Sequence, residues 1–306
     1  MDAGRTRSGP ARVRRPGGET MDDHGGDRSR RLPGAPPVRT AITVPVGVDE
    51  LWAALTDPVR LAAWFGTTRG DWHVRTPWRI DFGDGDFFVV TPVRVTDDRL
   101  IEFTWSFLGV GPEQHITWRA APTAGGARLT VEDADPVRPP AEIEQMRAGW
   151  TDFLRRLDGY LRTGRSTRYD WRSDIDGSVD LPLGWDAFEP SLLYRWLPVA
   201  SDGFRPAWFF VVDADGPRRF PLDDWSVREG TVTFTVQVTE RGAGTTAELA
   251  VHRLADRQRL EFSHQGWRHL GLPDNRAHAL RRRFAAAWTA AADCARELAR
   301  LSVPPG

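Results

Sequence analysis

Val44-Pro45-Val46-Gly47-Val48-Asp49 is echoed at Leu181-Pro182-Leu183-Gly184-Trp185-Asp186, and this echo decides the fold. Each copy opens a unit of the same plan. An amphipathic stretch follows and ends in a Trp-containing turn, Ala63-Trp64-Phe65-Gly66 in the first unit and Arg195-Trp196-Leu197-Pro198 in the second, which is shorter there by five residues. Strand-like segments come next, and each unit closes on a long helix carrying a tryptophan, Trp150 or Trp288. A period this long marks a duplicated domain, because solenoid repeats are several-fold shorter.

In the first unit, Thr40 to Val46 alternates as an edge strand. Asp49 is placed to cap a helix whose apolar residues Leu51, Trp52, Leu55 and Leu61 recur at helical spacing. Pro58 falls inside that run, which predicts two short helices with a bend. Between Trp72 and Val131 the period becomes two, most clearly in Ile101-Glu102-Phe103-Thr104-Trp105-Ser106-Phe107, with turn signals at Gly83-Asp84-Gly85-Asp86, Asp97-Asp98 and Gly125-Gly126. That is a meander of antiparallel strands. Ile143, Met146, Trp150, Phe153, Leu157 and Leu161 then make a helical stripe that ends near Gly164.

The second unit predicts the same series: a strand, short helices from Asp186 to Trp196, strands through Phe262, and a helix from about Asn275 to Leu301. That last helix carries Leu280, Phe284, Trp288, Ala291, Ala295 and Leu298 on one face. The expectation is an α+β protein of two tandem helix-grip domains, 38–165 and 174–303, each a curved antiparallel sheet wrapped around its long C-terminal helix, with two short helices after the first strand. A polar linker at 166–173 joins them. Residues 1–37, rich in Arg, Gly, Pro and Asp, read as a disordered tail, and Met21 offers an alternative start.

Composition excludes several classes of function. The net charge of −1 gives no basic face for a phosphate backbone, so no nucleic-acid partner is expected. All of the basic charge comes from arginine; the chain has no lysine. The single cysteine, Cys294, rules out an intrachain disulfide and fits a reducing cytoplasm, with a packing role for the thiol. No apolar run reaches the ~20 residues of a membrane span, so membrane insertion is not expected. No His, Cys and carboxylate cluster has metal-ligand spacing, and no phosphate-cradling loop or nucleophile elbow occurs, so neither metal nor cofactor is expected. Gly83-Asp84-Gly85 reads as a turn.

A curved sheet around one helix leaves space between them when its strands are long. The inward lining expected here is aromatic: Phe103, Trp105, Phe107 and Trp150 in the first domain, Phe234, Phe262, Phe284 and Trp288 in the second. Fourteen tryptophans supply flat, rigid rings suited to apolar or conjugated ligands, although such a stripe also serves as plain core.

The run from Val44-Pro45 through Asp49-Glu50-Leu51-Trp52-Ala53-Ala54-Leu55-Thr56-Asp57-Pro58, with Leu61 and Trp64, then Leu100 to Trp105, then Gly149-Trp150 with Leu154 and Leu157, resembles the homologues of the heat-shock-protein-ninety ATPase activator C-terminal domain. That family belongs to the START and birch-pollen-allergen helix-grip superfamily. The second half resembles it through its opening strand, Trp196, Arg259 to Gly266 and the final helix. The tandem arrangement is similar to the two-domain helix-grip proteins of actinobacterial natural-product clusters. Such a resemblance implies a cavity for lipids, hormones or polyketides, with cyclase or aromatase activity in some members and protection from enediyne antibiotics in a few. The segments by which the eukaryotic protein binds its partner have no counterpart, so protein partners stay open.

The family's last strand often carries His-x-Gly after its apolar residues, and here Leu260, Phe262 and His264 share a face by period two. The same register in the first domain holds Leu129, Val131 and Asp133. His264 and Asp133 are therefore the candidate catalytic groups, His264 as an acid or base at the cavity mouth or as a structural histidine. His115 and His252 alternate outward, while His73, His269 and His278 have no periodic support. Glu102 and Glu261 oppose their aromatic neighbours, so no carboxylate pair forms. Two readings result: a binding protein for a lipophilic polyketide or polyene-type metabolite, and a polyketide cyclase or aromatase. A chaperone-associated interaction module is a third, and it requires an exposed apolar patch.

Overall fold

The computed structural model describes residues 36–302 apart from 136, 137, 139, 141, 214, 215, 241 and 242. The tail reading of 1–37 thus lies outside the described residues but for its last two positions.

The first copy runs β1 (Val38–Val44), α1 (Val48–Thr56), α2 (Pro58–Trp64), β2 (Thr67–Arg69), β3 (Trp78–Asp81), β4 (Phe87–Thr96), β5 (Leu100–Phe107), β6 (Gln114–Thr123), β7 (Gly126–Ala134) and α3 (Glu142–Thr163). The second runs β8 (Ile175–Leu181), α4 (Pro190–Trp196), β9 (Val199–Ser201), β10 (Pro206–Asp213), β11 (Gly216–Arg228), β12 (Thr231–Gln237), β13 (Gly244–Arg253), β14 (Gln258–Gln265), a 3-10 turn at Trp267–His269 and α5 (Asp274–Ser302). Each copy builds one seven-stranded sheet, in the orders β1-β7-β6-β5-β4-β3-β2 and β8-β14-β13-β12-β11-β10-β9. Pairing is antiparallel, and the first strand of each copy lies beside its last. Register shifts at Pro92/Arg94 in β4 and Asp223/Ser226 in β11 fall in the same strand pair of each sheet, where a bulge bends the strand. The protein is α+β, with two tandem helix-grip domains. Among the described residues no helix is long and apolar enough to cross a membrane.

Two local expectations are corrected. Asp49 does not cap α1: Gly47 holds the N-cap without a side-chain bond, and Asp49 lies in the first turn. The capping carboxylate is Asp57, which accepts from the Val59 and Arg60 amides at 2.8 and 3.0 Å and starts α2 with Pro58 in the position where a missing N–H costs nothing. The second copy has one short helix instead of two. Its five-residue deficit removes the room for another, so Asp186 forms only a local turn to the Phe188 amide, and Glu189 caps α4 by accepting from Leu192. Both copies then close the connection in the same way, with the indole N–H of Trp64 donating to the Ala54 carbonyl and that of Trp196 to the Ala187 carbonyl, each at 2.9 Å.

The segment at 166–173 is not merely polar. The Thr167 amide donates to the Ala63 carbonyl of the first domain at 2.9 Å. Trp171 is buried, donates its indole N–H to Asp274 at 3.0 Å, and stacks on His278. The connection is therefore packed against both copies.

Candidate functional site

The last strand of each sheet and the long helix of each domain meet in one repeated device. β7 turns Leu129, Val131 and Asp133 inward, and β14 turns Leu260, Phe262 and His264 inward; all six are buried. The Trp150 indole N–H of α3 donates to Asp133 Oδ2 at 2.8 Å, and the Trp288 indole N–H of α5 donates to His264 Nδ1 at 3.0 Å. With Nδ1 accepting, the His264 proton sits on Nε2, which donates to Thr245 Oγ1 at 2.6 Å. Burial, reinforced by the charge of Arg281, lowers the imidazole to about 3. His264 is thus a fully buried histidine with both nitrogens engaged, and it does not lie at a cavity mouth. Asp133 is ion-paired to Arg138, which also donates to the Asp133 carbonyl at 3.2 Å.

The predicted aromatic residues meet one another in two ring clusters. Trp105 stacks on Trp150 with centroids 5.1 Å apart, and Phe103 meets Trp118 edge-on at 5.2 Å. In the second domain Phe262 stacks on Trp288 at 5.1 Å, while Phe234 and Phe284 pack around Phe209. Phe107 departs from the group. It is partly exposed and packs, with Phe87, against the second domain's core, which also takes in Leu108 and Val110. A Cβ on Gly177 of β8 would lie 2.3 Å from the Phe262 ring and 3.0 Å from Leu108, so any larger residue there would displace the Phe262 side chain.

Sequence reasoning missed the arrangement around Gly83-Asp84-Gly85-Asp86. The turn between β3 and β4 docks on α5 of the other domain. Arg281 clasps Asp86 through two bonds of 2.8 and 2.7 Å and donates to the Asp84 carbonyl at 2.7 Å; all three residues are fully buried. Asp84 accepts from the Arg172 amide at 2.8 Å, and the Arg172 guanidinium reaches Asp86 at 3.1 Å. Burial raises the Asp86 carboxyl, and Arg281 opposes the shift. The one sequence signal was an arginine on the inward side of the α5 stripe, three residues before Phe284.

Beside this clasp lies a cleft of about 950 Å³ lined by both domains. Its apolar wall comes from Phe87, Val89, Leu108 and Val110 of the first domain and from Ala286 and Ala290 on the outer side of α5. Arg69, Arg79, Arg282 and Arg283 also line it, against two carboxylates, Asp81 and Asp293. Arg79 lies over the Phe87 ring, its Cζ 3.3 Å from the centroid. Among the described residues no group of three or more His, Cys, Asp or Glu side chains comes together as a metal site.

Two sheets, each gripping a long helix, and a cleft where they join define a tandem helix-grip protein. Residues 45–162 match the family described as activator of Hsp90 ATPase homolog 1-like protein. The chain is similar to DynU16, a putative protein of the dynemicin biosynthetic locus: 45% identity and a TM-score of 0.83, covering 87% of this chain and 100% of that one. MLL2253 from Mesorhizobium loti is 21% identical with a TM-score of 0.38, covering 42% of this chain and 98% of its own. SSP2350 from Staphylococcus saprophyticus is 24% identical with a TM-score of 0.38, covering 43% and 96%. None of the curated proteins matches. The chain belongs to the activator of Hsp90 ATPase homolog 1-like family, in the two-domain form that it shares with DynU16.

Proposed function

We propose that this protein binds a lipophilic small molecule of polyketide or polyene type, in natural-product biosynthesis or self-protection. The observation that carries the reading is the similarity, over 87% of this chain, to a dynemicin-locus protein at 45% identity. Binding is favoured over acid–base turnover because His264 and Asp133, the two polar groups in inward register, are both committed to structural hydrogen bonds. Two surfaces suit such a ligand. One is the ring-lined interior, where Phe103, Trp105, Trp150, Phe234, Phe262, Phe284 and Trp288 would have to part to admit it, and the other is the cleft between the domains, which is already open. Native mass spectrometry of the protein co-expressed with its neighbouring genes tests the reading. A retained metabolite is expected; recovery of the bare polypeptide mass alone overturns it.

A further inference from the structure

We infer that the cleft between the two domains takes an amphipathic small molecule in which a flat apolar body carries an anionic group. This rests on the ligand-binding reading above, and it adds the place and the chemical class. The volume of about 950 Å³ lies at the upper end of the roughly 300–1,000 Å³ typical of small-molecule sites. The apolar wall formed by Phe87, Val89, Leu108, Val110, Ala286 and Ala290 supplies the burial that holds a flat body.

The charges select the rest of the molecule. Both lining carboxylates are already engaged, Asp81 by the Gly83 amide at 2.7 Å and by Arg79 at 3.4 Å, and Asp293 by Arg296. Arg69 and Arg282 have no carboxylate partner among the described residues, although both lie on the cleft wall and are exposed. Arg79 pairs with Arg69 across β2 and β3 and lies over the Phe87 ring; burial lowers its guanidinium, the Arg69 charge adds to the effect, and its Nε is buried without a hydrogen-bond partner. An excess of arginine along the wall of an apolar cleft is relieved by an anion, and guanidinium suits a carboxylate, sulfonate or phosphate through paired donors.

The test uses two fluorescent probes with one aromatic skeleton, 8-anilinonaphthalene-1-sulfonate and the uncharged N-phenyl-1-naphthylamine, titrated into the full chain. The sulfonate is expected to bind about tenfold more tightly. Arg69→Gln with Arg282→Gln should weaken the sulfonate about tenfold and leave the uncharged probe within about twofold. Ala290→Trp should exclude both probes by filling the cleft, and Ala286→Trp repeats that test at a second exposed position of α5. Unchanged melting temperatures confirm that the variants fold. If both tryptophan variants bind the probes like the wild type, or if neither probe binds the parent protein, the cleft is not the site and the inference fails. Equal weakening of both probes by the arginine changes overturns the anionic class. A metabolite retained in the mass spectrum alongside either failure leaves the ligand-binding reading intact and returns the ligand to the ring-lined interior.

Discussion

At the scale of single residues, the pairing of a helix tryptophan with a polar group on the last strand explains why each domain spends an indole N–H in its interior. Burying an indole N–H without an acceptor costs free energy, and Asp133 or His264 supplies an acceptor at the same sheet position in each copy. Trp288→Ala should therefore cost about 3–5 kcal/mol by leaving a cavity, and Trp288→Phe about 1–3 kcal/mol by leaving His264 Nδ1 unpaired; urea unfolding of both variants measures the difference. Acid should act through the same histidine. Its folded value of about 3 lies below the ordinary 6.5, so the unfolded chain binds the extra proton first. The contribution of His264 is complete above pH ~6.5 and is lost toward pH ~3, at about 1.4 kcal/mol per pH unit. In His264→Gln the acid slope of the unfolding free energy should be shallower by that amount, and identical slopes would disprove the assignment. Period two placed Asp133 and His264 on the inward face correctly. It gives a face and not a depth, which is why the cavity mouth and the sealed interior were indistinguishable from sequence.

At the scale of elements, local chemistry was legible and distant partners were not. The Pro58 break, the α3 stripe and its end at Gly164 follow from rules acting over one or two turns of helix, and the structure has them. The missing short helix of the second copy was present in the sequence only as a five-residue deficit. Gly83-Asp84-Gly85-Asp86 is a turn, as its composition indicates, but Arg281 stands 195 positions beyond Asp86, and no spacing rule spans that distance. Gly85 carries the contact: its φ is +105°, and a Cβ there would lie 2.7 Å from the Ala285 Cβ of α5 and 3.2 Å from the Arg282 carbonyl. Gly85→Ala should thus lift the turn off α5, whereas Gly125→Ala, in a turn with open space around it, should be tolerated. Limited proteolysis between β3 and β4 reads the difference, and equal protection of the two variants would show that the turn does not depend on its glycine.

At the scale of the whole molecule, the two domains share buried groups, and this bears on how they unfold. Leu108 and Val110 of the first domain belong to the second domain's core. Arg259 of β14 bridges Asp180 and Glu142 of α3, and Arg296 of α5 donates to the Gly109 carbonyl at 3.1 Å. The clasp of Arg281 on Asp84 and Asp86 is the most buried part of this interface. Removing one member of a buried ion pair strands the other charge, so Arg281→Met should cost about 3–5 kcal/mol. Pairing it with Asp86→Leu should recover part of that loss, because replacing both partners by apolar groups removes the stranded charge along with the bond. Neither residue is itself a member of the ring clusters inside the domains, so the loss should fall mainly on their coupling. The wild-type chain is expected to unfold in one calorimetric transition, with calorimetric and van't Hoff enthalpies in agreement. In Arg281→Met the transition should split in two, one for each sheet-and-helix unit. Two transitions already present in the wild type would mean that the clasp holds the domains in place without joining their stabilities.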